Sequence, residues 1–348
     1  MDLASTARSL SSAFERATRS RATCSESWFD LADHAVRFRI VGRRLAKSIA
    51  TPFSHLEMPA PGGKGADLTV ELWDAEESTI ACPLGPTPDD FPDGGVVTSS
   101  PDGSLLAHER THSRVVLDRR ARHLVGCVTS DRRLHFVERA RPLNLPLAVW
   151  CGDQDIHLVH AALVARDGSG VLMAGVGGAG KSTSALLCAA AGFDFLGDDC
   201  VAIRTAADGT FEGCSLYNSV NFVPEHLARL GVRGVAAGGP STGPNDKAVV
   251  CLAGVDAIRL GRVAPIRALA LPRIVETRGG TVRRASKRDA LLTLAPSSIV
   301  KRAVPIRDCL RRMALLVERV PAYWLELGPD LAAIPRDVDR LLSEALAA

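Results

Sequence analysis

Apolar and polar positions alternate in two rhythms along this chain, and the change of rhythm divides it. Leu3, Ala7, Leu10, Phe14 and Ala17 recur at spacings of three and four, the single apolar stripe of an amphipathic helix. From Trp28 to about Arg141 the pattern shortens into alternating segments at 68–73, 104–110, 114–118 and 134–139. Loop-like stretches dense in Pro, Gly and Asp at 59–65 and 83–95, and the turn Pro101-Asp102-Gly103, separate them. This pattern predicts an antiparallel, β-rich region. Residues 142–150 read as a helical connector, and the text then turns to strands and helices in alternation.

In that last part a strand is expected at 155–164, carrying His157 and His160, and a buried one at 171–174 (VLMA). A helix free of Gly and Pro follows at 183–191, then apolar strands at 193–196 and 200–203. A hairpin is expected at 209–223 with Asp208-Gly209 at its turn, and a short helix at 224–230 with Pro224 in its first turn. A mobile Gly/Ala/Ser/Pro loop at 234–244 closes at Lys247, a candidate phosphate contact, before a strand at 248–252. A strand at 265–275 leads into a basic loop at 277–288. Helices at 305–319 (Ile306, Leu310, Met313, Val317) and 331–346 (Ile334, Val338, Leu341, Ala345) flank a last strand at 322–327. The expected parts are an N-terminal helix, 1–27; a β-rich region, 28–150; and an α/β core, 151–348.

Composition narrows the classes. Hydrophobic residues at 46% and charged residues at 23% suit a globular chain, and a net charge of +3 is too small to imply a polyanionic partner. Arginines crowd 110–141, but with Phe136 as the lone aromatic they read as the wet face of a sheet, not a nucleic-acid surface. Nine cysteines with no C-x-x-C pair give neither a disulfide framework nor a zinc site, and Cys188, Cys200 and Cys251 read as small buried hydrophobes. A cytoplasmic protein without a membrane span is the expectation; a homo-oligomer is compatible with it.

The chemistry sits between the two best-defined elements. Gly175-Val176-Gly177-Gly178-Ala179-Gly180-Lys181-Ser182 fits G-x-x-x-x-G-K-[ST], and it lies between an apolar strand and a helix. Such a turn lets successive N–H groups face a phosphate at a helix N-terminus. Lys181 would reach the β/γ oxygens of ATP, Ser182 would ligate Mg²⁺, and Thr183 closes the candidate nucleotide site. Asp198 and Asp199 end the next strand, where a metal ligand or a base for an acceptor hydroxyl would be needed. Arg273 is the first candidate for shielding phosphoryl charge, since its flanks are apolar and an unpartnered guanidinium would be costly there. Arg283-Arg284-Ala285-Ser286 matches a kinase target pattern, of a length that occurs by accident.

These residues carry a resemblance. His160, Gly168-Ser169-Gly170, the loop at Gly175, Lys181 and Asp198-Asp199 are spaced in a manner similar to the HPr serine kinase/phosphorylase family and the broader HPr-kinase-like proteins. The resemblance implies an α/β P-loop nucleotide-binding core of the HPr-kinase/phosphoenolpyruvate-carboxykinase type with ATP and Mg²⁺. It also implies Asp198 as base, Asp199 as metal ligand and His160 as a neighbour of the phosphates. Two features depart from the family. Thr183 stands where its HPr kinases have Glu, and their Glu-x-Arg-Gly-x-Gly signature is replaced by residues 215–220, SLYNSV. The expected activity is therefore transfer of the γ-phosphate of ATP to a Ser or Thr hydroxyl of a peptide or protein other than HPr, such as a ribosomal peptide precursor. A kinase of a small hydroxylated metabolite and a non-catalytic ATP-binding regulator are the alternatives.

Overall fold

The computed structural model describes residues 2–63, 65–83, 95–222, 248–276, 281–298 and 306–347. The expected helix at 224–230, the loop at 234–244, Lys247 and residues 277–280 of the basic loop lie outside them. The chain is mixed α/β and forms two compact units, Met1–Trp150 and Cys151–Ala348.

In the first unit, helix α1 (Leu3–Thr18) begins at Asp2, whose side chain accepts from the N–H of Ala4, and it ends well before residue 27 because strand β1 starts at Cys24. Seven strands follow: β1 (Cys24–Leu31), β2 (His34–Val41), β3 (Leu68–Asp74), β4 (Val96–Ser99), β5 (Leu105–Arg110), β6 (Ser113–Asp118) and β7 (His123–Val128). They pair in the order β1-β2-β3-β7-β6-β5-β4. The apolar stripe of α1 (Leu10, Ala13, Phe14, Ala17) packs on Val41, Trp73, Val116 and Val125 of one sheet face.

Three sequence expectations need correction here. The sheet is not wholly antiparallel: β3 runs parallel to both β2 and β7. Helix α2 (Arg43–Ala50) and the 3₁₀ turn Thr51–Leu56 supply the long crossover that a parallel pair requires, and β3, which runs directly into the single-turn helix α3 (Ala75–Ser78), is accordingly buried on both faces. Residues 134–139 are not a strand. The 3₁₀ turn Asp131–Arg133 and the single-turn helix α4 (Phe136–Ala140) lie there, the latter capped by His135 Nδ1 accepting from the N–H of Val137. The pairing falls instead to β7, where the glycine at 126 leaves room for the backbone of β6; a Cβ there would overlap the carbonyl oxygen of Arg114. Finally, Cys82 and Cys127 are joined as a disulfide, which the reading of the nine cysteines did not anticipate.

Three arginines of the 110–141 stretch are held internally, while Arg119, Arg120, Arg122, Arg132 and Arg133 stand exposed in the turns. Arg110 pairs with Glu138 at 3.6 Å, Arg114 with Glu109 at 3.4 Å and Arg139 with Asp131 at 3.6 Å, all of them largely buried. Helix α5 (Asn144–Asp153) carries the chain across the boundary at Trp150.

The second unit is built on β8 (His157–Val159), β9 (Ala161–Arg166), β10 (Ser169–Ala174), β11 (Asp194–Gly197), β12 (Val201–Thr205) and β13 (Phe211–Cys214), with β14 (Ser219–Phe222) and β15 (Ala248–Cys251) paired apart from them. Four more strands complete it: β16 (Arg259–Leu260), β17 (Val263–Ile274), β18 (Val282–Arg284) and β19 (Ala322–Leu327). The ten-stranded sheet runs β16-β11-β9-β10-β17-β13-β12-β8, with β19 also on β17 and β18 on β19. Helices α6 (Lys181–Ala190) and α9 (Ile334–Ala347) cover one face through Leu186, Ala189, Val338 and Leu341 against Val164, Val171, Met173 and Ala270. Helices α7 (Lys287–Ser298) and α8 (Ile306–Arg319) cover the other, with Leu294, Met313 and Val317 against Leu163, Leu172 and Leu269.

Here too the sequence reading shifts. The expected strand at 155–164 breaks at His160, because β8 pairs with β12 while β9 pairs with β10 and β11. Part of the expected basic loop is β18, antiparallel to β19. On α8 the buried face is Cys309, Met313, Leu316 and Val317, and Leu310 is 37% exposed. Met313 and Val317 are buried as expected, while Cys309 and Leu316 take the place expected of Leu310.

Candidate functional site

Strand order alone brings the candidate residues to one edge. Strand β9 is antiparallel to β10 and to β11, so β10 and β11 point the same way, and β17 and β19 run parallel to β10. The carboxyl ends of all four strands therefore share an edge. Onto it emerge Gly175 after β10, Asp198 and Asp199 after β11, Arg273 near the end of β17 and Glu326 near the end of β19. His160 reaches the same edge from the other direction, since Ala161 at the start of β9 is paired with Ala174. In open α/β sheets ligands gather at this edge.

The glycine loop fills the turn from β10 into α6. Gly178 has φ +82° and Gly180 φ +102°, a region that L side chains rarely adopt. Gly180 serves as the N-cap of α6, and the N–H of Ser184 donates to its carbonyl at 2.9 Å. The loop leans on two strands. A Cβ built on Gly175 would lie 3.8 Å from the carbonyl oxygen of Pro272, and one built on Gly180 would overlap the Leu327 side chain. Gly177 and Gly178, by contrast, have nothing within 4 Å of such an atom. The middle of the loop is open, its end at Gly180 leaves no room for a side chain, and Gly175 is in ordinary contact with β17.

Lys181 is 5% exposed, and its ammonium donates to the carbonyls of Gly175 at 2.7 Å and Val176 at 3.2 Å. Burying an ammonium is tolerable only with such partners. Ser182 and Thr183 are half-buried in the first turn of α6, Val176 stands exposed at the front of the loop, and Ala179 is half-buried.

At the end of β11, Asp198 is 2% exposed, and the chain turns at once through Asp199 in the left-handed region at φ +61°. His160 Nδ1 lies 3.1 Å from the Asp199 carbonyl oxygen, and its Nε2 lies 3.8 Å from Asp199 Oδ1. One imidazole thus braces both the backbone and the carboxylate of a residue in an unfavourable conformation. The two acids differ in exposure, Asp198 buried at the strand end and Asp199 partly exposed beside His160. Among the described residues no group of three or more His, Cys, Asp or Glu side chains is placed to hold a metal ion.

Arg273 has the partner that its apolar flanks demand. Its guanidinium is bonded to Glu326 and lies over the Trp324 ring at 4.9 Å. Glu326 also accepts from Arg283 at 2.9 Å and from the Thr281 hydroxyl, and these three donors, Arg273 foremost, hold its carboxyl down at about 2. Sequence reasoning missed Glu326. In Ala-Tyr-Trp-Leu-Glu-Leu it is one acid in an apolar strand, and only the β17–β19 register, pairing Arg273 with Glu326, reveals its place. His157 is not at this edge; it lines a pocket with Phe211, Cys309, Arg312 and Met313 at the far strands.

Comparison with known proteins gives little. No family model matches the chain, and no curated protein matches it. Among solved structures, the Hpr(Ser) kinase/phosphatase from Coxiella burnetii matches at 13% identity with a TM-score of 0.29, over 55% of this chain and 97% of that one. A likeness at that level carries no argument, and the chain is assigned to no family.

Proposed function

We propose that the second unit binds Mg²⁺·ATP at the glycine loop and transfers the γ-phosphate to a Ser or Thr hydroxyl of a peptide or protein. The observation that supports this most is the asymmetry of the loop. Its ends, Gly175 and Gly180, are packed against β17 and β19, while Gly177 and Gly178 border open space where a Cβ would intrude. An open run of glycine N–H groups ahead of a helix N-terminus, with a lysine in its first turn, suits a polyphosphate. Mg²⁺ is commonly held by one or two protein groups together with phosphate oxygens, and Ser182 and Asp199 would be those groups here. ATP would supply the phosphoryl group to be transferred.

The protein's own contribution is positional and electrostatic. Lys181 would exchange its two loop carbonyls for phosphate oxygens. Asp198, buried at the end of β11, would accept the proton of the acceptor hydroxyl. His160 keeps Asp199 turned toward the site. Arg273, stacked on Trp324 beside the loop, would shield charge spreading over the transferring group. Carboxylates at both acidic positions and an intact lysine favour turnover over mere nucleotide binding.

The test is calorimetric titration of Mg²⁺·ATP into wild-type protein and into Lys181→Ala. The wild type should bind, and the variant should lose tight binding while keeping a cooperative unfolding transition. Equal affinities would remove the basis of this reading.

A further inference from the structure

Three charged side chains stand near the carboxyl ends of the strands that seat the loop, and the transfer reaction as described uses one of them. Arg273 and Arg283 both bind Glu326, so two cations share one carboxylate and the group keeps a positive charge. Exposure shows which sign faces outward. The side chain of Glu326 is 15% exposed, whereas those of Arg273 and Arg283 are 41% and 55% exposed. The carboxylate is tucked against β18 and β19, where the backbone N–H of Glu326 also donates to the Thr281 carbonyl at 3.0 Å. The guanidiniums form the rim.

The location matters as much as the charge. Gly180 rests on Leu327, the residue after Glu326, and Gly175 backs onto Pro272, the residue before Arg273. The cations are therefore carried by the strands that seat the loop. Along β17 and β19, Leu269, Leu271 and Trp324 lie in the core under α7 and α8, and Arg273 lies over Trp324 on that side; Ala268, Ala270 and Leu325 face α6. The positive rim thus occupies the sheet face opposite the helix whose N-terminus would hold the donor phosphates.

We propose that Arg283, held beside Arg273 by Glu326, anchors a carboxylate of the acceptor chain and so selects acidic peptides. This rests on the phosphotransfer reading above and names its substrate class. With Arg273 committed to the transferring group, Arg283 is the outer cation, on the outermost strand of this branch of the sheet. Three strand spacings of about 4.8 Å, or about 14 Å, separate β18 from β10; an extended acceptor at about 3.3 Å per residue spans that in roughly four residues, and in fewer where the arginine side chain reaches toward it. Arginine suits the task because its planar fork can hold Glu326 on one edge and a second carboxylate on another.

The experiment uses the full chain, Mg²⁺·ATP labelled at the γ-position, and serine-centred peptide libraries in which each flanking position is fixed in turn as Asp, Asn or Lys. Wild type should favour Asp over Asn about 5- to 20-fold at one position within four residues of the serine, the range of an exposed charge-assisted hydrogen bond. Arg283→Gln should bring that ratio close to one, and Arg283→Glu should turn it toward Lys. ATP affinity measured on both variants verifies that they remain folded. A wild-type enzyme that labels peptides without an acidic preference overturns the anchor and leaves the kinase reading standing, as does a preference that survives Arg283→Gln. Labelling confined to small hydroxylated metabolites overturns the anchor and the peptide acceptor together. Failure of the wild type to bind ATP at all sinks the underlying reading instead.

Discussion

Replacing Gly180 by Ala tests how the loop is seated. At φ +102° and ψ 6° an L residue pays about 1–2 kcal/mol in backbone strain. The new methyl would also overlap Leu327, whose side chain is buried in the core beneath α6 and α9. Overpacking of that kind costs about 1–3 kcal/mol. Together these give a loss of roughly 3 kcal/mol, which in a unit of this size lowers Tm by about 6–12 °C. Urea titration of wild type, Gly180→Ala and Gly177→Ala would measure it. Gly177 has no positive φ and nothing near its built Cβ, so its alanine variant should stay within about 0.5 kcal/mol of wild type. Adding Leu327→Ala to Gly180→Ala should recover about 1 kcal/mol relative to the sum of the single effects, because the overlap is gone while the strain persists. If Gly180→Ala proves as mild as Gly177→Ala, the packing described for this turn is wrong.

The two acids should separate in kinetics. Asp198→Asn should retain Mg²⁺·ATP binding and lower turnover by about 10²–10⁴-fold, as for a lost general base, whereas Asp199→Asn should also move the Mg²⁺ titration to higher concentration; superimposable Mg²⁺ curves would refute that division. His157 supplies a pH test. Burial, aided by Arg312 and opposed by Asp155 and Asp308, lowers its pKa to about 4. A folded value below the unfolded one of about 6.5 means that the stabilisation is complete above pH 6.5 and is lost as pH falls toward 4, by roughly 2 kcal/mol after allowance for partial exposure. His157→Leu should flatten the stability profile across that window in chemical denaturation, and an unchanged acid slope would count against the assignment.

What could be read beforehand follows from how local each cause is. The strand, glycine turn and helix around Lys181 are set by neighbours in sequence, and they lie at 169–174 and 181–190, close to where the pattern puts them. The stripes of α1 and α9 were equally legible, since burial on one face leaves a periodic trace. Pairing direction was not. That β3 is parallel to β2 depends on the crossover through α2, which alternation along β3 cannot express. Strand β7 hid behind Gly126, a residue whose cause lies on β6. At the site, the acidic pair was visible as a doublet, but the bracing of Asp199 by His160 spans 39 positions and required the break between β8 and β9. Glu326 escaped for the same reason: its three donors, Arg273, Thr281 and Arg283, are remote in sequence.

Strand β17 has a consequence for how the chain is made. Its twelve residues pair with β10, β13 and β19, so three neighbours depend on one segment. During translation β10 leaves the ribosome roughly a hundred residues before β17, a delay of about 5–20 s at ordinary elongation rates. In that interval β10 can form its hairpin with β9, but its other edge presents unsatisfied N–H and C=O groups to any extended chain nearby. Nascent copies on one messenger are the nearest such chains. Yield of the native protein should therefore depend on how quickly ribosomes pass codons 175–274 and on holdase supply, and premature termination before β17 should give aggregates instead of a smaller folded product.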